Sequence, residues 1–199
     1  MYEAFLGLGI APSDTILDIG ATSDRSYDHS NYLPAWYPHK DRITAVGIDD
    51  ASHLETLYPG LAFVRADARA LPFADSSFDY VHCAAVIEHV GSRAAQARLI
   101  REAERVARKG AFLTTPNRWF PVEFHTVLPL VHWLPPAVFR RLLRAIGRNF
   151  FASERNLNLL SEAELTFMGA EFGAAFEVRG MRLLGLVSNL LVILRKRPG

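Results

Sequence analysis

The chain has a single cysteine, Cys83, in 199 residues. An intrachain disulfide is therefore excluded, and with it a disulfide-stapled secreted scaffold or a cysteine-rich zinc site. Charge of one sign is also missing: 22 Lys and Arg face 21 Asp and Glu, for a formal net charge of +1. No broad basic stripe marks a nucleic-acid partner. Long hydrophobic runs are absent too. The most apolar late stretch, 181–194, is interrupted by Arg182, Ser188 and Asn189 and falls short of the roughly 20 residues of a membrane-spanning helix. The first residues lack the basic flank and apolar run of a signal peptide. A cytoplasmic protein with one domain's length of chain is the expectation, because half of the residues are hydrophobic and a full core can be buried.

Glycine is scarce where it is most wanted. The stretch DIGATSD, 18–24, follows Ile16 and Leu17 and has the position of a nucleotide-cofactor loop, yet it holds only Gly20. Short β-branched runs alternate with helical patterns along the chain, which predicts βαβ units and a mostly parallel sheet covered on both faces. Strands are expected at 15–20, 43–49, 62–66, 78–84, 110–115, 176–184 and 188–194. Between the fourth and fifth, Ser92 is an N-cap, Leu99, Ala103 and Val106 form a stripe, and Gly110 is the expected stop of a helix. Its charges read as a solvated face with pairs such as Glu104 and Arg108.

Residues 116–150 break this rhythm with aromatics spread among prolines, and read as an inserted cap. Within it, PAVFRRLLRAIGRNF puts Val138, Phe139, Leu142, Leu143 and Ile146 on one helical face and Arg140, Arg141, Arg144 and Arg148 toward the other. Such a helix, 136–150, reads either as an ordinary packed surface helix or as a contact for a membrane surface or lipid-linked substrate.

Three strand ends carry the chemistry. Gly20 permits close backbone approach to a ligand, since it has no Cβ. Asp49, closing ITAVGID, can accept both hydroxyl hydrogens of a ribose, with Asp50 as the fallback. Asp67, in FVRADARALPF, can accept from an exocyclic amine while the Ala68 N–H donates to a ring nitrogen. Each acid alone reads equally as a loop or capping residue, but acids at successive strand ends point to one ligand.

LDIG, VGID, RADARALPFADSSFDYVHCAAVIEHV and REAERVARKGAFLTTPN resemble the consecutive motifs of class I S-adenosylmethionine-dependent methyltransferases, in the small-molecule type 11 branch. The most specific piece is D-A-x-x-L-P-F-x-D-x-S-F-D-x-V, 67–81. The resemblance implies a Rossmann-like α/β three-layer sandwich with a seven-stranded, mostly parallel sheet whose last strand is antiparallel. It implies S-adenosyl-L-methionine as cofactor, with Gly20 along the methionine moiety, Asp49 on the ribose, Asp67 and Ala68 on the adenine, Ala84 near the methionine end and Asp18 supporting the loop from behind. The family pattern G-x-G-x-G is here Gly20, Ala21, Thr22, Ser23, Asp24, so Thr22, Ser23 and Asp24 become candidates to hold the methionine end by their side chains.

A hydroxyl acceptor would need a base, and the candidates are His89, His125 and Glu123, with Glu88 beside them. Each histidine reads equally as a loop-holding residue. A metal reading of Glu88, His89, Glu123 and His125 suits the donor types, but no tight His-x-x-x-His spacing accompanies them, and none is expected. The acceptor is expected to be a small molecule or glycan, methylated at oxygen. Two alternatives stay open: an NAD-dependent oxidoreductase, whose fingerprint would need glycines where Thr22 and Arg25 stand, and a non-catalytic lipid- or protein-binding module. Oligomeric state is not written in the pattern.

Overall fold

The computed structural model describes residues 1–24, 30–172 and 174–196. Seven strands form at the expected places: β1 (Ile16–Ile19), β2 (Ile43–Gly47), β3 (Ala62–Arg65), β4 (Phe78–Ala84), β5 (Ala107–Pro116), β6 (Ala175–Leu183) and β7 (Leu186–Arg195). They make one sheet in the order β3-β2-β1-β4-β5-β7-β6. The pairings from β3 across to β5 are parallel, and β7 runs antiparallel to both β5 and β6. The sheet of the expected class is thus present, with the last strand antiparallel.

The side-chain period of two sorts residues onto two covered faces. Leu17, Ile19, Val81 and Cys83 face one core with α4 (Arg93–Val106) and α6 (Glu162–Gly169). Ile16, Ile43, Ala45, Tyr80 and Phe112 face the other with Phe5 of α1 (Tyr2–Leu6) and Leu33 of α2 (Tyr32–Trp36). A shorter helix, α3 (His53–Leu57), follows β2. Every residue of β1 is buried, because β1 is hydrogen-bonded to β2 on one side and β4 on the other.

The α4 helix begins as expected, with Ser92 Oγ accepting from the Ala95 N–H at 3.3 Å and Leu99, Ala103 and Val106 fully buried. Its end differs. The helix stops at Val106 and the chain enters β5 at once, so Gly110 is not a helix stop. It sits opposite Arg195 in the sheet, where a Cβ would meet the Leu194 carbonyl at 2.5 Å. The expected Glu104–Arg108 pair is not made either, because the two residues lie on different elements. Glu104 Oε1 accepts from the Ala174 N–H at 2.9 Å, and Arg108 reaches Asp79 Oδ1 at 3.1 Å.

The other α4 charges fasten the loop between β3 and β4. Glu102 Oε2 accepts from the Leu71 N–H at 2.7 Å, and Arg105 donates to the carbonyls of Leu71 (3.1 Å) and Phe73 (2.7 Å) and to Asp75 (2.9 Å). Much of the 67–81 motif is thereby explained by packing: the part that precedes β4 is a loop strapped to α4.

Between β5 and α6 the chain makes a long excursion, closed by a parallel bridge between Asn117 and Leu160. It has a small core of Phe139, Leu143, Ala152, Leu157 and Leu159. The helix expected over 136–150 is α5 (Pro136–Ala145), shorter at its C-terminal end, and Gly147 follows with φ +77°. Its apolar face is only partly buried: Phe139 and Leu143 pack inward, whereas Val138, Leu142 and Ile146 are exposed. Among the described residues no helix is long and apolar enough to cross a membrane.

Asp79 joins the two central strands. Its Oδ2 accepts from Thr15 N at 3.0 Å and Thr15 Oγ1 at 3.1 Å, and Oδ1 faces Arg108 and, at 3.6 Å, Lys109. Burial favours its neutral form, but the Thr15 hydrogen bonds and the two cations outweigh it and hold the carboxyl below its ordinary value. Asp79→Asn is expected to cost about 1.5–3 kcal/mol at neutral pH. A depressed folded value means the contribution is complete above the unfolded value of about 3.9 and is lost as pH falls through the folded one. Urea unfolding of parent and variant at a series of pH values checks this: the gap should close only in acid.

Candidate functional site

The order of the sheet reverses direction between β1 and β4, and the carboxyl ends of an open α/β sheet form a crevice at such a point. Here a cleft of about 370 Å³ lies across the ends of β1 to β4, within the range of small-molecule sites. Gly20, Ala21, Thr22, Asp49, Asp67 and Ala68 all line it.

The loop after β1 folds over the end of β2. The N–H groups of Gly20 and Ala21 both donate to the Val46 carbonyl, at 2.8 and 2.9 Å. Ala21's own carbonyl passes where a Cβ on Gly47 would stand, so the second glycine this turn requires comes from β2. Gly20 has φ +109°, and a Cβ there would overlap the Val86 side chain. Its glycine character is therefore set by the backbone and by Val86, not by ligand approach alone.

Asn31 holds the loop from outside. Its Oδ1 accepts from the Thr22 N–H and its Nδ2 donates to the Thr22 carbonyl, both at 3.0 Å. Thr22 Oγ1 accepts from the Asp24 N–H at 3.1 Å, an internal turn that leaves the hydroxyl's own hydrogen as the donor it can offer the methionine end. Arg25 lies outside the described residues. Nothing at sequence level links Asn31 to Thr22.

Asp49 is an exposed carboxylate at the cleft, and among the described residues no hydrogen bond or ion pair engages it. Asp50 is turned away: its Oδ1 accepts from the Ser52 N–H at 2.9 Å, at the start of α3. Asp67 is committed to Arg69, which donates from Nε to Oδ1 at 2.9 Å and from Nη2 to Oδ2 at 2.6 Å and holds the carboxyl below its ordinary value. The expected adenine contact at Asp67 therefore shares its oxygens with Arg69. Ala84 is not on the cleft wall; the next residues, Ala85 and Val86, are, and Ala85 has φ +54°.

Asp18, expected as the support behind the loop, is not among the residues that line the cleft. Its Oδ1 receives the His82 Nδ1–H at 2.6 Å, and His82 Nε2 in turn accepts from the Tyr32 hydroxyl at 2.7 Å. Burial, then the Asp18 charge, push the Tyr32 phenol up. This buried chain crosses β1, β4 and α2, and neither His82 nor Tyr32 announced itself in the sequence.

The histidine and glutamate candidates do converge. His89 lines the cleft, and its Nδ1 meets the Asn156 carbonyl at 2.7 Å. His125 Nδ1 meets Glu123 Oε1 at 2.6 Å, and the two imidazoles lie edge to face with centroids 4.7 Å apart. Glu123 is saturated: Oε1 also accepts from the His125 N–H, and Oε2 accepts from Thr126 N (2.6 Å) and Oγ1 (2.7 Å). Burial works against its charge, but these bonds prevail and hold it at about 2. It orients His125 and does not reach the space between the rings. For His125, burial opposes protonation, yet the bond and charge of Glu123 and the charge of Glu88 raise its value overall. Glu88 is fully buried, and burial pushes its carboxyl up against the pull of His89 and His125.

A seven-stranded sheet in this order, with a glycine turn after β1 and a carboxylate at the end of β2, defines the class I S-adenosylmethionine-dependent methyltransferase fold. Solved structures of that class share it. One from Mesorhizobium loti matches with a TM-score of 0.69 over 98% of this chain and 97% of its own, at 13% identity. One from Methanosarcina mazei gives 0.59 over 98% of each chain, at 22% identity. Residues 18–115 match the family described as Methyltransferase domain, type 11. That match runs from Asp18 on β1 to Thr115 on β5, and it brings S-adenosylmethionine forward as the cofactor to set against the cleft. A "Probable S-adenosylmethionine-dependent methyltransferase" of Mycobacterium tuberculosis is 37% identical over 81 residues, which are 39% of this chain and 28% of that protein. The chain thus matches little more than a quarter of that relative's length.

The cleft fits the cofactor on its own terms: an unengaged carboxylate at Asp49 suits a ribose diol, and the Gly20–Thr22 turn is held by backbone and Asn31 before any ligand arrives. Preorganised loops bind without an ordering cost. Asn31→Ala is expected to weaken S-adenosylmethionine binding about tenfold, the loss of roughly one to two hydrogen bonds, with unchanged far-UV dichroism. Isothermal titration reads it; unchanged affinity would mean the clamp has no part in binding.

Proposed function

We propose that this protein transfers a methyl group from S-adenosylmethionine to a hydroxyl of a small molecule or glycan. The observation that carries the reading is that His89 lines the same cleft as Gly20, Asp49 and Asp67, with His125 and Glu88 immediately behind it. When bound, the cofactor supplies a methyl group already activated on a sulfonium. The chain's share is then placement and exclusion of water, together with an outlet for the acceptor's proton. A neutral hydroxyl must lose that proton as it attacks, and the histidine–carboxylate cluster can take it or stabilise the oxyanion. An acceptor with an apolar or stacking portion is supported by the exposed Trp119, Phe124 and Trp133 on the excursion that carries His125.

A lipid-linked acceptor is favoured by one further feature. On α5, Val138 and Leu142 are exposed beside Arg141 and Arg144, and Ile146 is exposed at its C-terminal end, the arrangement of a short interfacial helix.

Calorimetry with S-adenosylmethionine against NAD tests the central reading. Binding of the first alone is expected, and no binding in a folded sample overturns it. With an acceptor in hand, His89→Ala and His125→Ala should lower turnover by about 10²-fold or more while cofactor affinity changes little. Equal losses in both would make the histidines structural. Sedimentation with anionic liposomes should retain the parent and release a Leu142→Glu, Ile146→Glu variant; no retention removes the lipid-linked reading and leaves the soluble one.

A further inference from the structure

Two imidazoles and one carboxylate meet at the edge of the cleft with their free atoms turned toward one another. His89 Nε2 lies 3.9 Å and His125 Nε2 4.0 Å from Glu88 Oε1, and the three donor atoms all fall within 4.8 Å of each other. The protonation of both rings follows from their outer partners. A carbonyl and a carboxylate only accept, so His89 Nδ1 donates to Asn156 O and His125 Nδ1 donates to Glu123 Oε1. In its neutral form each ring presents a lone pair on Nε2 to the shared space, and on His125 a cation competes there with the proton that Glu123 and Glu88 favour. With Glu88 ionised, as a cation would hold it, the third member is an acceptor too and no protein donor among the described residues answers them.

Glu88 is the independent sign. Its side chain is 0% exposed. Oε2 accepts from Thr115 Oγ1 at 3.1 Å, but Oε1 is buried with no hydrogen-bond partner. Three acceptors facing one another around an orphaned, buried carboxylate oxygen is an arrangement that lacks a positive centre.

We propose that Glu88, His89 and His125 bind a divalent transition-metal cation of the zinc class. Two imidazoles and a carboxylate suit such an ion better than magnesium. Bond lengths of about 2.0–2.2 Å place the donors of a tetrahedral site roughly 3.4 Å apart, so the present spacing closes on the ion by small side-chain rotations. The outer shell is already built: an imidazole held by a backbone carbonyl and another by a carboxylate are the partners that fix ligating histidines. Glu123, which never reaches the shared space, acquires its role as the orienting carboxylate of His125. Three protein ligands leave a coordination position for water or for an acceptor oxygen, and an ion held there would replace the two imidazole lone pairs as the group that eases the acceptor's loss of its proton. No pairwise spacing announced this, because Glu88 and His89 follow β4 and His125 comes from the excursion after β5.

The binding itself does not rest on methyl transfer, and its test is run without S-adenosylmethionine or acceptor. Chelator-treated full-length protein titrated with Zn²⁺ should bind one ion per chain, and excess Mg²⁺ should not compete. Glu88→Gln and His125→Ala should each weaken Zn²⁺ at least tenfold, and Glu123→Gln should weaken it by roughly 10–100-fold. Co²⁺ should give the intense visible bands of a tetrahedral N/O site in the parent and lose them in His125→Ala, which reports on the site even if Glu88→Gln folds poorly. No stoichiometric Zn²⁺ binding by folded parent, or equal affinity and spectra in the His125→Ala protein, overturns the proposal. S-adenosylmethionine affinity, measured separately, tells failure of the methyltransferase reading from failure of the metal site.

Discussion

The burial of β1 between two parallel neighbours is the constraint from which the site follows. Hydrogen-bonded to β2 and β4 along its whole length, β1 cannot shift register without turning Leu17 and Ile19 out of one core and Ile16 out of the other. The chain leaving β1 must then turn at Gly20, over the end of β2 and beneath Val86, and two N–H groups of that turn close on one carbonyl, Val46. The cleft wall is thus a by-product of sheet order. It explains how a loop with one glycine can be rigid: the close approaches that glycine permits occur at Gly20 and at Gly47, on neighbouring strands.

Polar residues divide along the same line. Asp79, Glu102 and Arg105 belong to the most recognisable motif or its neighbour, yet they tie strand to strand and loop to helix. Asp18 stabilises a buried histidine and, through it, Tyr32. Only Asp49 is left as a carboxylate facing the cleft without a protein partner among the described residues. Motif strength and a place on the cleft are therefore different properties: most of this motif is scaffold, and of its residues Asp67, Ala68 and Arg69 line the cleft.

The excursion after β5 brings imidazole and carboxylate groups to the edge of the cleft. It returns to the sheet through the Asn117–Leu160 bridge, and on the way supplies His125 with its orienting Glu123, and Asn156, whose carbonyl orients His89. A cluster assembled from the end of β4 and from two points of a distant segment costs chain entropy to close, and the small core around Phe139 and Leu143 offsets that cost locally.

By itself the sequence determined the sheet, its strand places and the glycine and carboxylate positions of the cleft, because those rest on short-range periodicity and on residue types that only certain backbone geometries accept. It also singled out Glu88, His89 and His125, whose side chains meet at the edge of the cleft. It misplaced the end of α4 and the partners of Glu104 and Arg108, since Gly110 resembles a helix stop and is in fact a close approach to β7. It was silent on Asn31 and on the Asp18–His82–Tyr32 chain. Only the tertiary structure decided which atoms of the two histidines are tied and which are free, that Glu88 Oε1 is buried and unanswered, and that Glu123 acts through His125. Those facts depend on side chains from separate elements meeting within a few ångströms, and no one-dimensional spacing encodes such a meeting.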